Sequence, residues 1–185
     1  ALVLSNSVST PGLPTSLLSP RIRMGLAVLM TAITAGLVGA GCSHLLHLIE
    51  GLVFGDASGT LLHAFSSVPW WHRICALGGA GLVGGISWYL YARVGGKPVS
   101  LPKAVNGQKM PILLTFWHSI NQIVIVGMGA SIGREVAPRE ISASLGGKIA
   151  DFLYIPPEQR RIIVGCAAGA GLAAVYSLPL SGAVF

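Results

Sequence analysis

Three stretches of this chain, residues 24–43, 74–92 and 162–185, contain no charged side chain. Each is close to the roughly 20 apolar residues that a helix needs to cross about 30 Å of hydrocarbon. A fourth stretch, residues 110–132, is interrupted only by His118 and runs directly into Arg134 and Glu135. In lipid every backbone N–H and C=O of such a segment must be paired within the segment itself, so the expected fold is all-α, polytopic and membrane-embedded. Composition agrees: 52% hydrophobic and only 10% charged residues is a balance that no water-exposed surface of this size carries.

The formal charge of +6 first suggests nucleic acid. The basic residues, however, form no stripe with interleaved aromatics, and no nucleic-acid partner is expected. They flank the apolar stretches instead. Arg21 and Arg23 precede the first, and Arg93, Lys97, Lys103 and Lys109 follow the second. The intervening loop holds Glu50 and Asp56, with Arg73 its only basic residue. The positive-inside rule then puts the N-terminus and residues 93–109 on the cytoplasmic side and residues 50–73 outside. Residues 1–22, with Pro11, Pro14, Pro20 and several serines, read as a flexible or interfacial lead-in without a secretory cleavage pattern. Residues 23–185 read as the membrane domain.

Along the chain, one long helix is expected over residues 23–54, with Gly36, Gly39, Ala40 and Gly41 giving it a flat face for close helix approach. After a polar, turn-rich stretch at 56–67, Trp70 and Trp71 sit where amphipathic rings prefer the headgroup level, and a second span covers 69–93. Residues 94–108 are broken by Gly95, Gly96, Pro98 and Pro102 and have room for one short helix, 101–106. A third helix is expected over 111–132. Helix signals resume after Pro138 and continue through Phe152, and Pro156-Pro157-Glu158 opens a further helix to Tyr176. Ser177-Leu178-Pro179 ends that helix and starts another. Breaks inside hydrophobic territory are tolerated only where the backbone lines a cavity or is buried in protein, so those at 95–102 and 133–138 point to a site.

Several motifs read better as packing. Gly79-Ala80-Gly81-Leu82-Val83-Gly84 matches the dinucleotide fingerprint, but no strand precedes it and positions 100–106 hold no acid. Gly169-Ala170-Gly171 is a similar decoy. Gly146-Gly147-Lys148 lacks the hydroxyl residue and upstream glycine of a phosphate loop, leaving Lys148 as a helix-surface cation. Cys42, Cys75 and Cys166 show no ligand spacing and are expected to be buried packing residues. His44 and His47 form an i, i+3 pair without a carboxylate or third ligand credited to it, so neither metal nor cofactor is expected. His118, inside a membrane helix, suits polar packing or a water-filled vestibule.

Gly133-Arg134-Glu135 is different in kind. A guanidinium and a carboxylate at membrane depth face a cavity or pair with each other, and are functional candidates by default. This turn and the later segment Gly165-Cys166-Ala167-Ala168-Gly169-Ala170-Gly171-Leu172-Ala173-Ala174-Val175-Tyr176-Ser177-Leu178-Pro179-Leu180-Ser181-Gly182-Ala183-Val184-Phe185 resemble the G-R-E-G-P turn and G-A-A-A-G-L-A-A-A-F-N-A-P-L-A-G-I-L-F segment of the CLC family of chloride channels and chloride/proton antiporters. The long second match is the more specific, and the resemblance covers about residues 23–185.

The resemblance implies the first of two inverted halves of a transporter subunit, truncated at its C-terminal end and working as a homodimer in lipid. It implies transport of chloride or a related anion, as a voltage-gated channel or a proton-coupled antiporter, and no enzymatic activity. Glu135 would be gate and proton carrier, and Val99, Ser100, Arg134, Glu135 and Val136 would surround the anion. Two positions depart from the family pattern. Val136-Ala137-Pro138 follows Glu135 in place of Gly-Pro, and Val99 occupies the position of a serine whose hydroxyl touches the central anion. A non-conducting helical segment with a structural or assembly role is the alternative reading.

Overall fold

The computed structural model describes residues 19–55, 66, 68–94 and 99–184. Among these it contains helices α1 (Pro20–Phe54), α2 (Trp70–Val94), α3 (Leu101–Val105), α4 (Ile112–Gly127), α5 (Val136–Phe152), α6 (Pro157–Tyr176) and α7 (Pro179–Val184). No strand occurs among the described residues. The expected lead-in up to residue 18, most of the 56–67 loop, and the Gly95, Gly96 and Pro98 part of the first break lie outside them.

The helix starts follow local chemistry. α1 begins at Pro20, three residues before the expected position: proline suits the first turn, where an N–H would be unpaired anyway, and the Ser19 side chain accepts a hydrogen bond from the Ile22 amide at 3.4 Å. α6 opens at Pro157 with Glu158 in its first turn, as expected. It stops at Ser177, whose φ of 54° is left-handed backbone, and Pro179 then starts α7.

One expected helix is shortened. The third helix was expected to reach residue 132, but α4 ends at Gly127, and the Gly129 amide bonds the Val126 carbonyl at 2.9 Å in a tight turn with φ at Gly129 of 99°. The apolar run Met128–Ile132 carries hydrophobicity without helix. Among the described residues, only α1 and α2 are long and apolar enough to cross a membrane on their own. The stretch 162–184 is divided between α6 and α7, as Ser177-Leu178-Pro179 predicts.

Packing is inverted relative to a water-soluble bundle. The buried positions of α1 are Ala27, Thr31, Ala35, Gly39, Cys42, Leu46, Glu50 and Phe54, one residue per turn and mostly small at the N-terminal end. Its leucines at 26, 29, 37, 48 and 52 point outward, where lipid rather than water satisfies them. α2 repeats the pattern with Ala76, Ala80, Gly84 and Tyr91 inside. A β-carbon at Gly39 would overlap that of Ala174 on α6, and one at Gly146 on α5 would lie 2.7 Å from that of Ala167. Backbones therefore meet closely, which replaces the hydrophobic drive that lipid cannot supply. α5 sits at the centre, contributing Ala137 and Ile141 to a cluster with α1 and α4, Ala143 to one with α3 and α6, and Ala150 to one with α1 and α6.

The dinucleotide-like glycines belong to this packing. A β-carbon at Gly84 would stand 2.6 Å from Ile125 Cδ1 and one at Gly79 3.1 Å from Met128 Cε, so the motif seats α2 against α4. Gly171 likewise faces the Pro138 carbonyl and Ser142 of α5. Lys148 is exposed, as expected of a surface cation.

Candidate functional site

The irregular chain between α4 and α5, residues 128–135, carries the Gly133-Arg134-Glu135 turn. Gly133 has φ of 83°, backbone that a side chain disfavours. Its carbonyl accepts a hydrogen bond from Gln122 Nε2 of α4 at 3.3 Å, tying the turn back to the preceding helix. Glu135 is the N-cap position of α5, and its carboxylate curls over Gly133, where a β-carbon would collide with both of its oxygens.

Tyr176, the last residue of α6, donates from its hydroxyl to Glu135 Oε2 at 3.3 Å. The Arg134 guanidinium lies over the same ring, 5.0 Å from its centroid. One phenol thus contacts both charged residues of the turn. Glu135, Arg139, Tyr176, Ser181 and Gly182 line an open cleft of about 330 Å³ between α5, α6 and α7. Its depth follows from Gly39: that residue is near the middle of the 35-residue α1 and abuts Ala174, two residues before Tyr176. Glu135 accordingly lies about halfway along the longest helix of the bundle.

The first amides of α5 have no intrahelical acceptor, and the helix dipole places about half a positive charge beside them. Val136 supplies the first of these amides, and Arg134 and Arg139 add two cations nearby. Helix signals were expected to resume after Pro138; the turn extends to Glu135 and α5 starts already at Val136. Such a terminus favours any anion, whether a mobile one or the carboxylate of Glu135 itself.

Val99 and Ser100 lie elsewhere along the α5–α6 pair. Val99 is half-buried against Leu101, Ala104, Ala143, Val164 and Ala168, and Ser100 is an exposed N-cap of α3 without a side-chain cap bond. Neither lines the Glu135 cleft. Sequence reasoning missed Tyr176, although it occupies the phenylalanine position of the family segment, and missed Gln122.

His118 finds the polar packing expected of it, whereas two of the cysteines and the surroundings of His47 depart from expectation. Glu50, buried at 4% exposure, supplies the carboxylate not credited to the histidine pair: His47 Nδ1 lies 3.1 Å from its Oε2. No group of three or more metal-ligating side chains occurs among the described residues. His118 pairs with Glu140 at 3.1 Å. Cys42 is buried, but Cys75 and Cys166 are exposed, because they fall on outward faces of α2 and α6.

The family model for voltage gated chloride channels matches residues 80–185. The chain is 28% identical over 167 residues to the voltage-gated ClC-type chloride channel ClcB of Yersinia pseudotuberculosis serotype O:1b, a match covering 85% of this chain and 40% of the relative. It is 27% identical over 166 residues to the protein of the same name from Escherichia coli K12, covering 86% of this chain and 39% of that one. The chain therefore spans about 40% of the length of the curated relatives it matches. No solved structure matches it. With a family match over more than half its length, on helices that are all-α and membrane-embedded, this chain belongs to the voltage-gated CLC chloride channel family.

Proposed function

We propose that these helices form one side of an anion pathway in which the Glu135 carboxylate is the gate. The observation that carries the reading is the position of that carboxylate: folded onto its own turn at the N-terminus of α5, held by the Tyr176 hydroxyl, and facing a cleft at mid-depth of the bundle. Ionised, Glu135 occupies the place that the α5 amides and Arg134 offer to an anion. Protonated, it loses both its charge and its strongest reason to stay, and an anion takes its place. The same side chain thus competes with chloride and carries a proton, which suits either a channel with a protonation-dependent gate or a chloride/proton antiporter. Arg134 sustains the local positive potential while its guanidinium rests on Tyr176.

Val136 contributes a backbone amide in this reading, and Val99 and Ser100 mark a second part of the pathway, apart from the Glu135 cleft. The remaining length of the relatives would supply the opposing half, and two subunits would assemble in the lipid. Arg21 and Arg23 at the start of α1 and Arg93 at the end of α2 support an N-terminus on the cytoplasmic side.

The test is Glu135→Gln in the full-length protein reconstituted in vesicles. Anion flux should persist and lose its dependence on external pH, and any coupled proton movement should vanish. Full retention of both would reduce Glu135 to a structural partner of Tyr176.

A further inference from the structure

A second carboxylate, Glu140 on α5, is partly buried with no place in the gate. Glu140 follows Glu135 by five residues, which on a helix turns it toward the opposite side: Glu135 meets Tyr176 on α6, whereas Glu140 meets His118 on α4. The His118 Nδ1 to Glu140 Oε2 distance is 3.1 Å, and the two side chains are only 20% and 15% exposed. Aromatic rings of α2 close the other side, with Tyr91 6.0 Å and Trp88 6.4 Å from the His118 ring, centroid to centroid.

We propose that His118 and Glu140 form an intramembrane proton-binding site, separate from Glu135 and on the other face of α5. With one proton between them the pair is neutral, whether as carboxylic acid and imidazole or as carboxylate and imidazolium. With none it leaves one negative charge between helices, and with two it leaves one positive charge, and the bilayer interior penalises both. Proton arrival or departure is thus an event of consequence at this spot, and one that needs no other ligand.

The electrostatic surroundings are few. From α2 the titratable group facing the pair is Tyr91, and Arg93 stacks on Tyr89 at 4.9 Å. Arg139 adjoins Glu140 on α5 and lines the Glu135 cleft. α1, which also packs on α4 and α5, turns Cys42 into the Ile123–Ile141 cluster and pairs its Glu50 with His47. α3 and α6 meet α5 through Leu101, Ala104, Val164 and Ala168 around Ala143, while Arg160 of α6 bonds Asp151 at 2.7 Å near the far end of α5. Because the pair joins α4 to α5, the helices on either side of the 128–135 turn, its proton state bears on how firmly that turn is clasped.

Trp88 provides a reporter, since a protonated imidazole beside an indole quenches its fluorescence. In the full-length protein in lipid nanodiscs, tryptophan fluorescence titrated against pH should show a step that disappears in Trp88→Phe and in His118→Gln. The step should be displaced along the pH axis in Glu140→Gln and unchanged in Glu135→Gln. The readout requires no transport, so it stands or falls independently of the gate. Absence of a Trp88-dependent step in the wild type, its survival in His118→Gln, or its loss in Glu135→Gln overturns the proposal. An undisplaced step in Glu140→Gln does so too, and the wild-type and Glu140→Gln titrations decide the matter if His118→Gln does not fold.

Discussion

The carboxylate of Glu135 rests against the α-carbon of Gly133, with no room between them for a β-carbon. Gly133→Ala therefore has two effects. It forces a side chain into left-handed backbone at a cost of about 1–2 kcal/mol, and it evicts the carboxylate from its resting place. We expect a lower unfolding temperature in detergent together with anion flux whose pH dependence is flattened toward that of Glu135→Gln. A variant with the wild-type pH profile would show that the carboxylate does not rest on the turn during gating.

Tyr176→Phe separates the two contacts of that ring. The hydroxyl that donates to Glu135 is lost, and the face that supports Arg134 stays. A hydrogen bond to a charged group contributes about 1.5–3 kcal/mol, and the partial exposure of this one reduces its share. Freed of that tie, the gate should open more readily, raising flux from vesicles at neutral pH by up to about tenfold. An unchanged flux removes Tyr176 from gating.

Val99→Ser tests the second part of the proposed pathway. Valine has no donor for an anion, and a hydroxyl there should move relative permeability toward chloride. The measure is reversal potential in mixed anions with the full-length protein. Val99 also packs on Leu101 and Ala104, so the same substitution should lower stability slightly. An unaltered selectivity series means that another group stands at the anion.

Gly39→Val should be among the more damaging single changes in α1, because the added side chain meets Ala174 directly. Overpacking of this kind costs about 1–3 kcal/mol. Gly41→Val, with nothing within 4 Å of its β-carbon, should be close to neutral. Equal unfolding midpoints for the two variants would contradict the close α1–α6 approach.

The long helices were legible because charge-free length and proline-marked starts are local properties, and α1, α2 and α6 fall within a few residues of expectation. The end of α4 was not, since Met128–Ile132 continues the apolar run without proline and the stop depends on left-handed Gly129. Glu135 stood out as a carboxylate beside a glycine break. Its partner Tyr176 is 41 residues away and His118 is 22 residues from Glu140, so both contacts arise only when α4, α5 and α6 fold together. The face of each cysteine likewise depends on helix rotation, which an evenly apolar helix does not announce.

Among the described residues, only α1 and α2 carry enough uninterrupted hydrophobicity to partition into lipid unaided. α6 begins with Glu158, Arg160 and Arg161, and α4 is 16 residues long. Biogenesis is therefore expected to be ordered. The nascent chain commits α1 and α2 to the bilayer first, and the glycine and alanine stripe of α1 then serves as the template on which α5 and α6 dock. A stall between those two stages would leave α1 and α2 embedded while Arg134 and Glu135 still wait in water, a species that membrane quality-control proteases are well placed to recognise.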